Sequence, residues 1–318
     1  MKTQNIGIIG TASIAQSRFI PALDGYKNAK YYGVASRTEK KAKEFVAKNG
    51  GVAYTNYESL LEDTNIDCVY IPLPPALHFE WAEKALVHGK HVLLEKPSVL
   101  CKADAEKLVA LAKEKKLALY ENYMFTEHKQ LQRIKQLLTE KAVGEVYFAA
   151  ARFCFPRRAV GDFRYNKQLG GGALNDCGGY TIKLVTELFG KNVKLTNANF
   201  CMESDIDISG NLSFSADKVA VQTFFGMDND YRCDLEIIGS TGTIYAPRIF
   251  TAPSNFYAPV YLKRNGKTVK FYKYKDNQFL KSYMAFEKAV QSDEIRETFY
   301  EKILLQSEFV DNTRQFMI

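Results

Sequence analysis

The first third of the chain alternates short, continuous apolar runs with longer stretches of helical periodicity. Residues 5–9 form an apolar run ending at Gly10, and residues 14–23 read as helix. Residues 31–35 are a second strand, followed by a charged helix at 39–48. Apolar runs at 68–73 and 91–94 are two more strands, with helical stretches at 79–88 and 102–115 after them and a further strand at 117–120. Strands that alternate with helices build a parallel sheet covered on both faces. Strands that are apolar throughout, rather than at every second position, agree with that.

The pattern changes near residue 122. A helix at 128–138 and a strand at 145–155 lead into a loop rich in Arg, Tyr and Gly, then a helix at 174–189. From 193 to about 274 the chain reads as strand after strand, for example 219–225, 232–238 and 269–274, with turn signals at Asp228-Asn229 and Asn265-Gly266. Helices at 279–291 and 298–316 close it. The expectation is an α/β domain over 1–121 and an α+β domain over 122–318 with a large, mostly antiparallel sheet. A length of 318 residues suits two domains.

Composition narrows the partners. The chain is 46% hydrophobic and 25% charged, with no apolar run of membrane-spanning length and no secretory pattern at residues 1–10, so a cytoplasmic protein with no membrane partner is expected. The six cysteines are scattered, none in a CxxC, and no histidine clusters with them; neither a disulfide framework nor a metal site is expected. The net charge of +7 comes without a dense basic block, which argues against nucleic acid. An anionic small molecule fits the excess, and so does solubility alone.

Two places carry candidate chemistry. The turn after the first strand reads Gly10-Thr11-Ala12-Ser13-Ile14-Ala15, a dinucleotide fingerprint of the form G-x-A-x-x-A. The first glycine makes the tight turn, and small residues let backbone approach a pyrophosphate at a helix N-terminus. A purely structural turn has the same letters; the position at the start of a repeated βα pattern favours the fingerprint, and with it a Rossmann domain. The second strand ends in Ala35-Ser36-Arg37-Thr38, with no carboxylate to hold a ribose 2′-hydroxyl. A hydroxyl and a guanidinium suit a 2′-phosphate, and a charge-assisted bond favours NADP(H) about ten- to hundredfold. Otherwise Arg37 is a solvated cation and Ser36 a helix cap.

The second place has two parts. Glu95-Lys96-Pro97 follows the strand at 91–94, and in a parallel sheet ligands lie beyond the carboxyl ends of strands. Further on stands Gly170-Gly171-Gly172-Ala173-Leu174-Asn175-Asp176-Cys177-Gly178-Gly179-Tyr180. Glycines admit close backbone approach, and Asp176 and Tyr180 share a helix face at i, i+4. A phenol is a poor acid, with an ordinary pKa near 10, and a neighbouring ammonium stabilises its phenolate. The competing reading is a solvated Lys96, a core Tyr180 and a capping Asp176.

In that order, these motifs resemble the Gfo/Idh/MocA oxidoreductase family over essentially the whole chain. The resemblance implies hydride exchange between NAD(P) and a sugar, polyol or related carbonyl, and a C-terminal sheet that packs in oligomers, here a homodimer or tetramer. The family lysine maps to Lys96 and its helix aspartate to Asp176. Tyr180 stands where a His is common, as in the Lys/Tyr branch that includes nucleotide-sugar 3-ketoreductases. Pro75 stands where an Asn is common, which puts one coenzyme contact in doubt. Beyond Gly10, Thr11, Ala12, Ser13, Ile14, Ser36 and Arg37, the resemblance implies coenzyme contacts at Leu73, Pro74, His78, Glu95, Lys96, Asn122 and Arg164. It implies substrate contacts at Lys96, Tyr165, Asp176, Tyr180 and Arg248.

The expected reaction is NADPH-dependent reduction of a keto group on a sugar, with a nucleotide-linked 3-keto deoxysugar as substrate. Lys96 and Tyr180 hold the carbonyl, one of them gives the proton, and Asp176 orients. The alternatives are an NADP-dependent dehydrogenase of free aldoses or diols, and a non-catalytic NADP-sensing regulator. The regulator is expected to lack Lys96 or the Asp176/Tyr180 pair.

Overall fold

The computed structural model describes residues 3–317. Six parallel strands, β1 (Gln4–Ile9), β2 (Ala29–Ala35), β3 (Val52–Tyr54), β4 (Cys68–Ile71), β5 (His91–Leu94) and β6 (Leu119–Glu121), form one sheet in the order β3-β2-β1-β4-β5-β6. The order reverses between β1 and β4, which opens a crevice at their carboxyl ends. The helices α1 (Ile20–Leu23), α2 (Glu39–Asn49), α3 (Tyr57–Glu62), α4 (His78–Val87) and α5 (Lys102–Lys115) follow successive strands. β4 is buried along its whole length, as expected of a strand covered on both faces. One core joins Val69, Ile71, Val92 and Leu94 to Trp81, Leu86 and Leu108; the other joins Ile6, Ile8 and Tyr70 to Phe19 and Phe45.

The pattern reading missed β3 and α3. β3 has three residues and α3 six, both below the length at which apolar periodicity shows.

The remaining elements are α6 (Lys129–Thr139), β7 (Val146–Phe155), α7 (Gly179–Phe189), β8 (Lys194–Glu203), β9 (Ile206–Ala216), β10 (Val219–Met227), β11 (Arg232–Gly239), β12 (Thr243–Ala246), β13 (Ala258–Arg264), β14 (Lys267–Tyr274), α8 (Gln278–Gln291) and α9 (Asp293–Arg314). The eight strands form a second sheet in the order β14-β13-β12-β11-β7-β10-β9-β8. Only the β7–β10 pair is parallel; the other pairs are antiparallel. Asn265 and Gly266, at φ +48° and +74°, make the two-residue turn between β13 and β14.

The chain divides into two compact units, residues 3–122 with 279–304, and 123–278 with 305–317. A continuous second domain over 122–318 therefore needs correcting at its end. The cause is apolar: Tyr283, Phe286 and Ala289 are buried in the first unit's core beside Phe19, Tyr70 and Tyr120. α8 is thus sequence-distant material that completes the cover of the parallel sheet.

Candidate active site

In the first unit, Gly10 sits at φ +102°, where a side chain would also lie 2.7 Å from Leu73. Only glycine takes that conformation without strain and leaves the turn open. Its N–H donates to Ala35 O (2.9 Å), fixing the end of β1 against the end of β2. Around this turn lies a cavity of about 420 Å³ bordered by Gly10, Thr11 and Ala12 from β1, Ser36 and Arg37 from β2, and Leu73 and Pro74 after β4. Seven expected coenzyme residues thus converge on one space. Ser13 and Ile14 belong to the start of the following helix and are not among its walls.

The same cavity is also lined by Thr38, Lys41, Tyr57 and Pro72, none of which the sequence had assigned to the coenzyme. Lys41 lies in the first turn of α2, just after the β2 end that carries Ser36 and Arg37, so its place near that end was readable from the chain. Tyr57 opens the short α3 and was lost with it. Two cations, two hydroxyls and no carboxylate around the end of β2 fit a phosphomonoester. The Gly10 turn, where a Cβ would intrude, fits a pyrophosphate against backbone.

His78 is fully buried, with Nδ1 2.7 Å from Pro97 O and Nε2 2.7 Å from Leu73 O. The neutral ring donates its one N–H to one of these carbonyls and packs its other nitrogen against the second, so His78 ties the loop after β4 to the loop after β5. Burial pulls its pKa down to about 4, with Lys96 adding to the depression and the two carbonyls opposing it.

Glu95 and Asn122 are likewise internal. Tyr70 O–H and the Asn122 amide both donate to Glu95 Oε1 (2.6 and 2.7 Å), and Ser282 O–H donates to Asn122 Oδ1 (2.5 Å). Burial raises the Glu95 pKa, against these two donors and Lys96. On the other side of the motif, Ser98 N–H donates to Glu121 Oε1 (2.9 Å). Lys96, partly exposed and joined to Pro97 by a cis peptide bond, is therefore held between two buried carboxyl-bearing anchors.

In the second unit, Gly170 and Gly172 take φ +78° and +108°, and Gly172 N–H donates to Arg164 O (2.9 Å). A side chain on Gly171 would run into that same carbonyl. The loop so closed brings Arg164 Nε to Asp176 Oδ2 (2.7 Å) and its Nη1 to Asp162 Oδ1 (3.2 Å). Burial alone lowers the Arg164 pKa, but Asp176 and Asp162 outweigh it and the net shift is upward. Arg164, expected at the coenzyme, has its guanidinium committed to these two carboxylates.

Asp176 lies in a π-helical turn, Leu174–Gly178, that continues as α7 and carries Tyr180. Tyr180 is 5% exposed and ringed by Tyr123, Phe125, Phe153 and Phe250 at centroid distances of 5.2, 5.7, 5.0 and 5.8 Å. Its hydroxyl donates to Met124 Sδ at 3.5 Å. A phenol in such a low-dielectric wall feels any nearby charge strongly. Tyr165 O–H donates to Asp228 Oδ1 (2.5 Å), and Arg248 stacks over Tyr231 and Phe256 at 5.1 and 5.6 Å. Among the described residues no cluster of metal-ligating side chains occurs, and all six cysteines are free thiols.

Comparison with known proteins decides the family. Residues 4–123 match the model of the oxidoreductase family with an NAD-binding Rossmann fold, and residues 131–245 match the GFO/IDH/MocA C-terminal domain. The chain belongs to the Gfo/Idh/MocA oxidoreductase family. It is 38% identical over 312 residues to a dTDP-3,4-didehydro-2,6-dideoxy-alpha-D-glucose 3-reductase of Actinomadura kijaniata, covering 97% of this chain and 94% of that enzyme. It is 32% identical over 260 residues, 79% of this chain and 74% of the relative, to a trans-1,2-dihydrobenzene-1,2-diol dehydrogenase of Xenopus laevis. Among solved structures it superposes on KijD10, a 3-ketoreductase from Actinomadura kijaniata in complex with NADP and TDP-benzene. That match has a TM-score of 0.94 at 36% identity and covers 99% of this chain and 98% of the other. The fold expected from the sequence, a Rossmann domain followed by a large, mostly antiparallel sheet, is the fold observed. No helix of the described residues is long and apolar enough to cross a membrane.

Proposed function

We propose that the protein is an NADPH-dependent ketoreductase that reduces the 3-keto group of a dTDP-linked deoxysugar. The observation that carries this reading is near full-length similarity to a dTDP-sugar 3-reductase, joined to a β2 end that offers Ser36, Arg37 and Lys41 and no carboxylate. Ser36 and the two cations hold the 2′-phosphate, and the Gly10 turn holds the pyrophosphate. When bound, the reduced nicotinamide supplies a hydride equivalent.

Lys96 and Tyr180 hold the substrate carbonyl oxygen, and one of them delivers the proton that turns it into a hydroxyl. The Lys96 ammonium stabilises the negative charge that develops on that oxygen. Asp176, fixed by Arg164, orients the sugar. The same two residue types are the ones replaced in crystallised variants of KijD10, a lysine by alanine and a tyrosine by phenylalanine. In this reading Arg248 and Tyr165 serve the nucleotide end of the substrate. The first unit serves the coenzyme and the second the sugar.

The uncovered face of the eight-stranded sheet is the interface of a homodimer or tetramer. Strand register puts Phe148, Phe224, Ile238, Tyr245, Tyr261 and Phe271 on that one face. The last three stack as rings, and Ile238 and Phe271 are exposed. Six free thiols fit a cytoplasmic setting.

Titration with NADPH and NADH, then incubation with dTDP-linked 3-keto sugars beside free aldoses and diols, tests the reading. Turnover of the nucleotide-linked ketones alone supports it; turnover confined to free diols or aldoses replaces it with the dehydrogenase reading that the Xenopus relative favours. NADPH binding without turnover of either panel leaves a coenzyme-sensing protein.

A further inference from the structure

Asp207 has no place in the chemistry described so far, yet the residue is only 8% exposed and its carboxylate points at the segment that carries Asp176 and Tyr180. It is the second residue of β9, thirty-three positions along the chain from its partner. Its Oδ2 accepts the Leu174 N–H at 2.6 Å, and the Ala173 N–H also donates to the carboxylate. These are first-turn donors of the helix that runs through Asp176 to Tyr180, groups that no intrahelical carbonyl can satisfy. Ala173, at the cap position itself, has no side chain able to accept them. A side chain on Gly172 would collide with Asp207 Oδ1, so this glycine is what lets the carboxylate reach the helix end. Arg314, from α9, faces the same corner: it attracts Asp207 and its guanidinium donates to Asn175 Oδ1 at 2.6 Å.

We propose that Asp207 is a positioning residue for the reaction: a cap borrowed from β9 that fixes the start of the reactive helix, and through it the places of Asp176 and Tyr180. Asp176 and Tyr180 lie three and seven residues beyond Ala173, so a first turn that frays or rotates displaces both. A carboxylate also matches the partial positive charge of the helix end. Burial pushes the Asp207 carboxyl up to about 6, so near neutral pH the charged form still holds the cap.

The proposal rests on the ketoreductase reading for its turnover arm, and the experiment separates the two. Asp207→Ala, Asp207→Asn and Gly172→Ala are compared with the parent in kcat and KM for a dTDP-linked 3-keto sugar, in NADPH affinity, and in amide hydrogen exchange across residues 172–180. Loss of the cap opens the first turn about tenfold or more in exchange. Misplacing the reactive groups lowers kcat about 30- to 100-fold, while sugar KM and NADPH affinity stay within about threefold. The Asn variant, which keeps an acceptor oxygen, recovers most of both losses. Gly172→Ala, which crowds the carboxylate and also strains the backbone at φ +108°, loses at least as much as Asp207→Ala in both readouts. An Asp207→Ala protein with parental exchange at 172–180, or with kcat within twofold of the parent, overturns the proposal; so does a loss of protection spread evenly over the chain. A parent that reduces no keto sugar refutes the ketoreductase reading, while the exchange arm still decides whether Asp207 is the cap.

Discussion

The two sheets place their chemistry in opposite ways. In the six-stranded sheet β4 is buried along its whole length, and the cavity lies at the carboxyl ends of β1, β2 and β4. There the shape of the backbone decides: the Gly10 turn, the β2 end and the loops braced by His78. In the eight-stranded sheet the strands reach eleven residues and one face is covered by α7 and the π-helical turn before it, whose side chains carry the groups. There side-chain contacts decide: Arg164 on Asp176, and four rings around Tyr180. Two positions cross this division. Lys96 is the proposed reacting side chain on the backbone-built unit, and Asp207 is a backbone anchor in the side-chain-built one. The first unit should therefore answer mutation in coenzyme affinity and the second in turnover, with Lys96 as the exception.

That exception gives the largest expected effect. Lys96→Ala removes the cation at the developing alkoxide and lowers kcat about 10²–10⁴-fold. NADPH affinity, measured by fluorescence titration, stays within about threefold, because the groups that line the coenzyme cavity are untouched. Near-parental turnover would return Lys96 to the coenzyme half and leave the division without an exception.

The brace at His78 is next. Its folded pKa of about 4 lies below the ordinary 6.5, so between those values only the unfolded chain takes up the proton. Stability from this site is complete above pH 6.5 and declines as pH falls to 4, by roughly 3 kcal/mol. His91 shifts in the same direction, also through burial, so the site is isolated by difference. Urea denaturation from pH 4 to 7 should show a steeper acid decline in the parent than in His78→Asn. The opposite slope would mean that the two carbonyls hold the ring protonated in the folded state.

Arg37→Ala follows. Losing one charge-assisted bond to the 2′-phosphate costs about 1.5–3 kcal/mol, a ten- to hundredfold rise in the NADPH dissociation constant. NADH affinity stays within about twofold, since its ribose carries no phosphate. An equal loss for both coenzymes would show that Arg37 supports the cavity wall and does not read the phosphate.

Much of this was legible in the chain because it is written locally. The parallel sheet follows from uninterrupted apolar strands, and the Gly10 turn and Glu95-Lys96-Pro97 are contiguous motifs at strand ends. Asp176 and Tyr180 follow from helical spacing. What the chain does not display locally depends on contacts between separate segments. Arg164 and His78 have the charge or ring expected of a ligand contact, yet Asp176 and two backbone carbonyls take them first. α8 was assigned by adjacency to the second domain, while its Tyr283 and Phe286 fill the first unit's core. Asp207 carries no local signal at all, since its partner lies thirty-three residues away.

Lys41 sharpens the comparison at its finest grain. It lies in the first turn of α2 on the rim of the same cavity and is largely exposed, so it acts on a bound phosphate as a solvated point charge. Such an interaction is weak and screened by salt, whereas a guanidinium meets the phosphate through directed bonds. Lys41→Ala should raise the NADPH dissociation constant only about three- to fivefold at low salt, an effect of less than about 1 kcal/mol. The difference should shrink toward nothing as ionic strength approaches about 0.5 M, while the Arg37→Ala deficit persists. Titrations of both variants across a salt series measure this directly. A Lys41 effect as large as that of Arg37 and insensitive to salt would mean that the lysine bonds the phosphate directly, and the coenzyme half would then rely on side-chain contacts as heavily as the other.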